Sequence, residues 1–315
     1  MLITGGGVET TLIFHRGIEL PHFASFEVLK DEAGLEALRS YEVPFLELAR
    51  RHRIGAIIDT VTWRANEDWA TLLGYSREGL AEVIRKAVEF ARGLKAEYET
   101  EDTPILISGC LGPRDDDYDP HTLMSADAAE RYHALEIGMF ADVGVDLLAA
   151  LTLTYPAEAI GFVRAAERAG IPISISFTVE TDGRLPTGGE LREAIEEVDA
   201  ETDGAAAYFM VNCAHPSHFS AVLDDGGAWR QRIHGVRPNA SKKSHEELDA
   251  SDDLDEGDPA EWGADYAALG PLLPNLSLVG GCCGTDHRHV GEAFARLLDR
   301  GTGARPAPPA PTHEG

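Results

Sequence analysis

Two segments of the chain place cysteines at the point where a short apolar run ends. Cys282 and Cys283 stand between glycines directly after the run 276–279, and Cys213 follows the run 208–211. Adjacent cysteines do not form an unstrained disulfide with each other, but flanking glycines let both sulfurs face one point. Three thiolates from two strand ends would form a zinc site with the fourth tetrahedral position open, as catalytic zinc sites have.

A zinc ion held by three thiolates carries a net negative charge, so it favours binding one more thiolate over generating hydroxide. A thiol bound there loses its proton and stays nucleophilic toward a methyl group on a sulfonium or quaternary ammonium. A structural zinc site is the alternative, although such sites usually have a fourth protein ligand and Cys-x-x-Cys spacing. Cys110 also ends a predicted strand, and it is interpreted either as that fourth ligand or as a buried thiol.

Composition limits the class of partner. The formal net charge of −27 argues against nucleic acids and anionic membranes as partners, and no stretch is long and apolar enough to span a bilayer. A strand pattern begins within three residues of Met1, which indicates that no signal peptide precedes it. Four cysteines without a secretion signal predict thiols in a reducing compartment, and therefore a cytoplasmic protein. Oligomerisation is left open.

Eight apolar runs alternate with amphipathic helical stretches along the chain. The alternation predicts an α/β fold, a single (β/α)8 TIM barrel over residues 1–300, with a doubly wound sheet as the alternative. The tail 301–315 is rich in Pro, Ala and Gly and is predicted to be disordered. The predicted strands are 1–4, 54–60, 104–110, 145–151, 173–179, 205–211, 233–236 and 276–279. Every cysteine falls at the C-terminal end of one of them, where such barrels place their active sites.

The segment 241–261 interrupts this alternation with a run of acidic residues. It is predicted to be a solvated loop between the seventh strand and its helix. A lid over the barrel mouth is the alternative.

The motifs Gly-Gly-Cys-Cys-Gly-Thr at 280–285 and Val-Asn-Cys at 211–213 resemble the ligand motifs of the homocysteine S-methyltransferase family. These are zinc-dependent thiol methyltransferases built on a (β/α)8 barrel. The resemblance implies that Cys213, Cys282 and Cys283 bind Zn²⁺ and are the catalytic residues. It also implies methyl transfer from an onium donor (S-methylmethionine, betaine or S-adenosylmethionine) to homocysteine or a related thiol, as in methionine biosynthesis. No Gly-x-Gly-x-x-Gly nucleotide motif follows a strand, so a Rossmann-type site for S-adenosylmethionine is not indicated.

The same resemblance implies substrate-binding residues. Glu9 and Thr10 lie in a family-like opening motif and are predicted to line the barrel mouth, where either would meet the substrate's ammonium. The alternative is that the backbone amides at this helix start meet its carboxylate. Thr152 stands where a family threonine follows a substrate-binding glutamate, and Asn239 lies in a family-like Pro-Asn-Ala. Asn212 is interpreted equally as a substrate contact and as a support for the zinc loop.

Four histidines lie close to the cysteine motifs, but a metal role is not expected for them. His215 and His218 are interpreted as loop histidines, with support of a metal ligand as the alternative. A capping or surface role is predicted for His289, which follows the cysteine pair together with His287.

Two positions depart from the family pattern. Gly5 stands where the family usually has an aspartate, and Leu151 stands where it usually has a glutamate. Both family acids are associated with the acceptor amino acid, and a buried ammonium without a partner costs on the order of several kcal/mol. The departures leave open whether the acceptor is homocysteine. They also keep two alternatives, a zinc-dependent demethylase or lyase acting on a sulfonium or thioether, and a non-catalytic relative that binds zinc or a thiol.

Overall fold

The strands close into one parallel barrel in which each strand pairs with the next and the last pairs with the first. This computed structural model describes residues 1–115, 122–251 and 253–302, with side chains described as far as 299. The closed barrel confirms the (β/α)8 prediction over the doubly wound alternative. The strands are β1 Leu2–Ile3, β2 Gly55–Asp59, β3 Ile105–Leu111, β4 Leu147–Leu153, β5 Ile173–Phe177, β6 Tyr208–Asn212, β7 Ile233–Arg237 and β8 Leu278–Val279.

Helices follow the strands and form the outer layer. The periodic stretches predicted as helices are helical, and short N-terminal caps fix where several of them begin; the Asp31 side chain, for example, accepts from Gly34 N at 2.8 Å. The helices are α1 Val8–Thr10, α2 Glu32–His52, α3 Glu67–Leu72, α4 Arg77–Tyr98, α5 Ala126–Val143, α6 Pro156–Ala169, α7 Leu191–Glu201, α8 Pro216–Leu223, α9 His245–Asp249, α10 Pro259–Ala268 and α11 His287–Thr302.

Two apolar layers result from the alternation of side chains along the strands. One set packs between the barrel and its helices, and a smaller set, which includes Ile57, Cys110 and Met210, fills the barrel interior. Cys110 is 5 % exposed, and burial raises the pKa of its thiol well above the usual value. The structure therefore agrees with the interpretation of Cys110 as a buried thiol.

The fourth strand differs from its prediction. It was expected to end at Leu151, but β4 continues to Leu153 and its register shifts between Ala150 and Leu153. Thr152 lies in this irregularity with a φ of +63°. An L-residue rarely adopts this left-handed conformation without support from its surroundings, and the support comes from the neighbouring strands described below.

The acidic segment 241–261 is partly helical. Ser244 and Glu247 form a capping box that starts α9, and the beginning of α10 completes the segment. Within the described ranges, no helix is long and apolar enough to cross a membrane. Residues 303–315, most of the predicted disordered tail, lie outside the described residues, and the domain boundary at 300 stays a prediction.

Candidate active site

The three cysteines singled out by the sequence meet at the C-terminal mouth of the barrel. The Sγ atoms of Cys213, Cys282 and Cys283 all lie within 4.8 Å of one another. The backbone explains this convergence, because the segments after β6 and β8 both bond to the C-terminal end of β7, at its last residue and the residue that follows. Cys213 N donates to Arg237 O at 3.1 Å, and Cys282 N donates to Pro238 O at 2.9 Å.

Two of the three sulfurs are in direct contact. Cys213 and Cys282 are paired as in a disulfide, with Cα atoms 5.5 Å apart, which is within the range that a disulfide spans. The expectation that all four cysteines are thiols therefore differs from the structure at this pair. The three sulfurs nevertheless fit zinc. Zinc prefers thiolate ligands and binds them at about 2.3 Å, and the three Sγ atoms lie within 4.8 Å of one another. Reduction of the pair would supply the three thiols.

Cys213 is held in an unusual backbone conformation. Its φ is +55°, and its carbonyl oxygen is contacted by Asn239 Nδ2 at 2.9 Å and His245 Nε2 at 2.8 Å. These contacts come from the segment after β7 and from α9. They fix the direction in which the Cys213 side chain leaves the backbone, so Asn239 and His245 position this sulfur.

The loop that carries Cys282 and Cys283 packs against the N-terminal glycines. A Cβ at Gly7 would lie 2.7 Å from Cys282 O, so only glycine permits this approach. Thr10 Oγ1 donates to Gly7 O at 3.1 Å and accepts from Gly284 N at 3.1 Å. The Thr10 hydroxyl thus joins the start of the chain to the cysteine loop, a positioning role that the sequence did not suggest.

Asn212 and Thr152 form a hydrogen-bonded link between β4 and β6. Asn212 Oδ1 accepts from Thr152 N at 2.9 Å and Ser176 Oγ at 2.6 Å, and its Nδ2 donates to Thr152 Oγ1 at 2.8 Å. These bonds stabilise the left-handed Thr152 and the strand end that leads to Cys213. The structure therefore favours the supporting interpretation of Asn212, and its substrate contact stays a prediction.

One cavity of about 650 Å³ lies beneath the sulfurs at the barrel mouth. Its wall includes every residue that the sequence analysis assigned to the site, together with groups that it missed. The predicted residues that line the cavity are Glu9, Thr10, Thr152, Asn212, Cys213, Asn239, Cys282 and Cys283.

The most important of the missed groups is a partly buried ion pair. Arg237 Nη1 lies 2.7 Å from Asp59 Oδ2, and the same oxygen accepts from Thr4 Oγ1 at 2.8 Å. Both charged residues line the cavity, at the ends of β7 and β2. The sequence did contain a signal for this pair. Asp59 is a charged residue at the end of an apolar strand, and the active-site residues of such barrels lie at strand ends.

Two further carboxyl groups face the cavity. Glu9 accepts from Ser25 Oγ at 2.8 Å, and burial raises its pKa. Glu42 of α2 is 6 % exposed, and burial, reinforced by the nearby charge of Asp59, raises its pKa to about 8. The cavity therefore has more acidic side chains than the family-like motifs alone provide.

Part of the acidic segment covers the barrel mouth. Leu248, Leu254 and Asp255 line the cavity, and Ser241 Oγ donates to Asp255 Oδ2 at 2.7 Å. Glu256 ties the segment to α11, because its carboxylate lies 2.9 Å from Arg288 Nη2 and its carbonyl oxygen 2.9 Å from His289 Nε2. The prediction of a merely solvated loop is wrong for these residues, and the lid alternative describes them.

The neighbouring histidines serve the backbone. His215 is 1 % exposed, caps α8 by accepting from Ser217 N, and has a pKa lowered to about 4 by burial. His218 Nε2 lies 3.0 Å from Lys242 O. In the described parts of the chain, the group that could hold a metal contains the three cysteines and none of these histidines.

A family comparison agrees with this geometry. The family described as homocysteine S-methyltransferase matches residues 2–297, which is almost the whole chain. The chain belongs to the homocysteine S-methyltransferase family.

The share of a relative's length that this chain covers differs from one relative to the next. It is 29 % identical over 300 residues to a methionine synthase of Mycobacterium tuberculosis, a match that covers 86 % of this chain and 23 % of that protein. The chain therefore spans about a quarter of the methionine synthases that it matches. It is 22 % identical to homocysteine S-methyltransferase 1 of Arabidopsis thaliana, over 95 % of this chain and 93 % of that one.

The fold is also that of a solved homocysteine methyltransferase. The homocysteine methyltransferase MmuM from Escherichia coli superposes with a TM-score of 0.74 in its oxidized form and 0.70 in its metallated form. Sequence identity is 21 %, and the match to the oxidized form covers 94 % of this chain and 95 % of that one. At this identity the likeness shows the shared barrel.

The two departures from the homocysteine S-methyltransferase pattern have structural counterparts. A Cβ at Gly5 would lie 2.5 Å from Tyr41 Oη, so the Tyr41 phenol occupies the space that a larger residue at position 5 would need. Leu151 is buried in the apolar interior of the barrel beside Cys110 and Met210. Neither position can supply a carboxylate, whereas Glu9, Glu42 and Asp59 are among the acids that line the cavity.

The buried Glu42 makes stability depend on pH. Its folded-state pKa of about 8 lies above the unfolded value of 4.5, so its contribution is fully present below pH 4.5 and is lost as pH rises toward 8. Glu42→Gln has no such loss. We expect its free energy of unfolding, relative to wild type, to rise by on the order of 3–5 kcal/mol between pH 5 and 8.5, measured by urea denaturation.

The exposed Glu47 on the same helix provides the control. Glu47→Gln should follow wild type at both pH values. If Glu42→Gln also ran parallel to wild type, the carboxyl of Glu42 would titrate normally in the folded protein.

Proposed function

We propose that this chain transfers a methyl group from an onium donor to a thiol at a zinc ion held by Cys213, Cys282 and Cys283. The acceptor is homocysteine, and the product is methionine. The observation that carries the proposal is the convergence of the three sulfurs within 4.8 Å above a cavity of about 650 Å³. Such a cavity is large enough for two small substrates.

Bound zinc would lower the pKa of the acceptor thiol and leave negative charge on its sulfur. The new carbon–sulfur bond then forms as the bond from methyl to the onium centre breaks. The onium centre keeps the electron pair and leaves as a neutral thioether or amine. This reaction requires in-line placement of donor and acceptor, for which a rigid barrel mouth and a cover are suited.

The residues of the chain supply that placement. Asn239 and His245 hold Cys213, and Thr10 holds the cysteine loop. The buried Asn239 Oδ1 has no hydrogen-bond partner within the described chain, so it is available to a donor group of the substrate. The acidic lid, with Asp255 at the cavity, places negative charge beside the entry of a cationic methyl donor.

Metal removal tests the proposal. Protein reduced and loaded with zinc should contain one zinc per chain and should methylate homocysteine with at least one of S-methylmethionine, betaine and S-adenosylmethionine. Chelation should abolish the product, followed by mass spectrometry, and zinc should restore it. Full activity in the metal-free protein would contradict the zinc role.

The same assay separates the alternatives. Release of a thiol from an onium compound or thioether without an acceptor would indicate a demethylase or lyase. A zinc-loaded protein without methyl transfer to any thiol would indicate a non-catalytic relative. The cytoplasmic location stays a prediction.

A further inference from the structure

The Arg237–Asp59 pair presents unused hydrogen-bonding groups to the cavity. Arg237 bonds through Nη1 to Asp59 Oδ2 and through Nε, at 3.5 Å, to Gly281 O, while Asp59 Oδ2 also accepts from Thr4 Oγ1. Among the described residues, none hydrogen-bonds to Asp59 Oδ1 or Arg237 Nη2. One acceptor and one donor of opposite charge therefore stand side by side at the cavity wall.

This pair lies close to the cysteines. The backbone carbonyl of Arg237 accepts from Cys213 N at 3.1 Å, and its side chain reaches Gly281 O, one residue before Cys282. A thiol bound at the sulfurs could extend a chain of a few carbons toward Asp59 and Arg237. A molecule with this shape carries its thiol at one end and a charged head group at the other.

The charges of the cavity favour a zwitterionic head group. A mercapto acid without an ammonium would pair its carboxylate with Arg237 but would bring it beside the Asp59 carboxylate, which would gain no donor. An α-amino acid brings a carboxylate for Arg237 and an ammonium for Asp59, so both charges are paired. An amine without a carboxylate would satisfy Asp59 alone.

We infer that Asp59 and Arg237 bind the α-ammonium and α-carboxylate of the acceptor amino acid, in place of the acids that the family carries at positions 5 and 151. The inference rests on the proposed function, since it assumes that the acceptor's sulfur lies at the cysteines. It explains why the departures at Gly5 and Leu151 need not change the acceptor. In this chain a carboxylate stands at the end of β2, and the Tyr41 phenol lies against Gly5.

Thiol binding to the cobalt-loaded protein tests the inference without a methyl donor. The probes are homocysteine, 4-mercaptobutanoate, which lacks the ammonium, and 3-aminopropane-1-thiol, which lacks the carboxylate. Each is titrated while the sulfur-to-cobalt absorption is followed. In wild type, homocysteine should bind roughly 10- to 100-fold more tightly than either analogue, as expected for one charged hydrogen-bonded contact.

Two variants should each remove one preference. For Asp59→Asn, the dissociation constants of homocysteine and 4-mercaptobutanoate should lie within about threefold of each other. For Arg237→Gln, those of homocysteine and 3-aminopropane-1-thiol should lie within about threefold. Because each single variant leaves a buried charge unpaired, the double variant Asp59→Asn/Arg237→Gln is included. It removes both charges and should bind all three thiols with similar affinity.

A second ion pair provides a matched control. Arg232, at the other end of the β7 segment, lies 2.7 Å and 2.9 Å from the two carboxylate oxygens of Asp199, away from the cavity. Asp199→Asn should keep the wild-type preference. If no thiol changed the cobalt spectrum of wild type, the proposed function would fail together with this inference. If thiols bound but wild type showed no head-group preference, or the double variant kept it, this inference alone would be overturned.

Discussion

Replacement of Cys213 by serine is expected to lower zinc affinity by at least about 10³-fold and to abolish methyl transfer. A serine hydroxyl is a poor zinc ligand, and the loss of one of three thiolates removes several kcal/mol of binding free energy. Cys213 lies within 4.8 Å of both other sulfurs, and the group of described residues that could hold a metal contains no further cysteine. Zinc content after dialysis against a weak chelator, and the rate of product formation, measure the two effects.

Cys110 is the matched control for this substitution. It also lines the cavity, but it belongs to the apolar interior of the barrel and not to the group of three sulfurs. Cys110→Ser should keep one zinc per chain. Retention of stoichiometric zinc by Cys213→Ser, or loss of zinc from Cys110→Ser, would place the metal elsewhere.

Replacement of Trp262 by alanine is expected to destabilise the fold by about 3–5 kcal/mol. Trp262 of α10 is 2 % exposed, and its ring lies 5.2 Å from that of Tyr266 and 5.5 Å from that of His289. Its Nε1 donates to Asn239 O at 2.8 Å, and Asn239 in turn holds the carbonyl of Cys213. We therefore expect weaker zinc binding in addition to the loss of stability measured by urea denaturation.

Two further variants separate packing from hydrogen bonding. Trp262→Phe keeps an aromatic ring but removes the bond to Asn239, so it should cost about 1–3 kcal/mol. Leu72→Ala removes a side chain that is 60 % exposed and should stay within about 0.5 kcal/mol of wild type. A Trp262→Ala protein as stable as Leu72→Ala would show that α10 is not anchored through this residue.

Local patterns were sufficient to predict most of the elements. The helix Ala126–Val143 lies between the predicted strands 104–110 and 145–151, as the alternation predicts, because the spacing of its apolar residues and the cap at Ser125 are local features. The bounds of β4 and the helix inside 241–261 were not predicted correctly. In β4 the pairing with β5 continues past an irregularity, and that pairing depends on a partner strand distant in sequence.

The sequence by itself determined the order of eight strands and the three cysteines at strand ends, because apolar periodicity and glycine-flanked cysteines are properties of adjacent residues. Only the tertiary structure decided the contacts that cross the barrel. Arg237 and Asp59 are 178 residues apart, Cys213 and Cys282 are 69 apart, and the Tyr41 phenol fills the space beside Gly5. These contacts depend on the closure of β1 against β8 and on the strand register, which bring distant strand ends to one mouth and which no local pattern specifies.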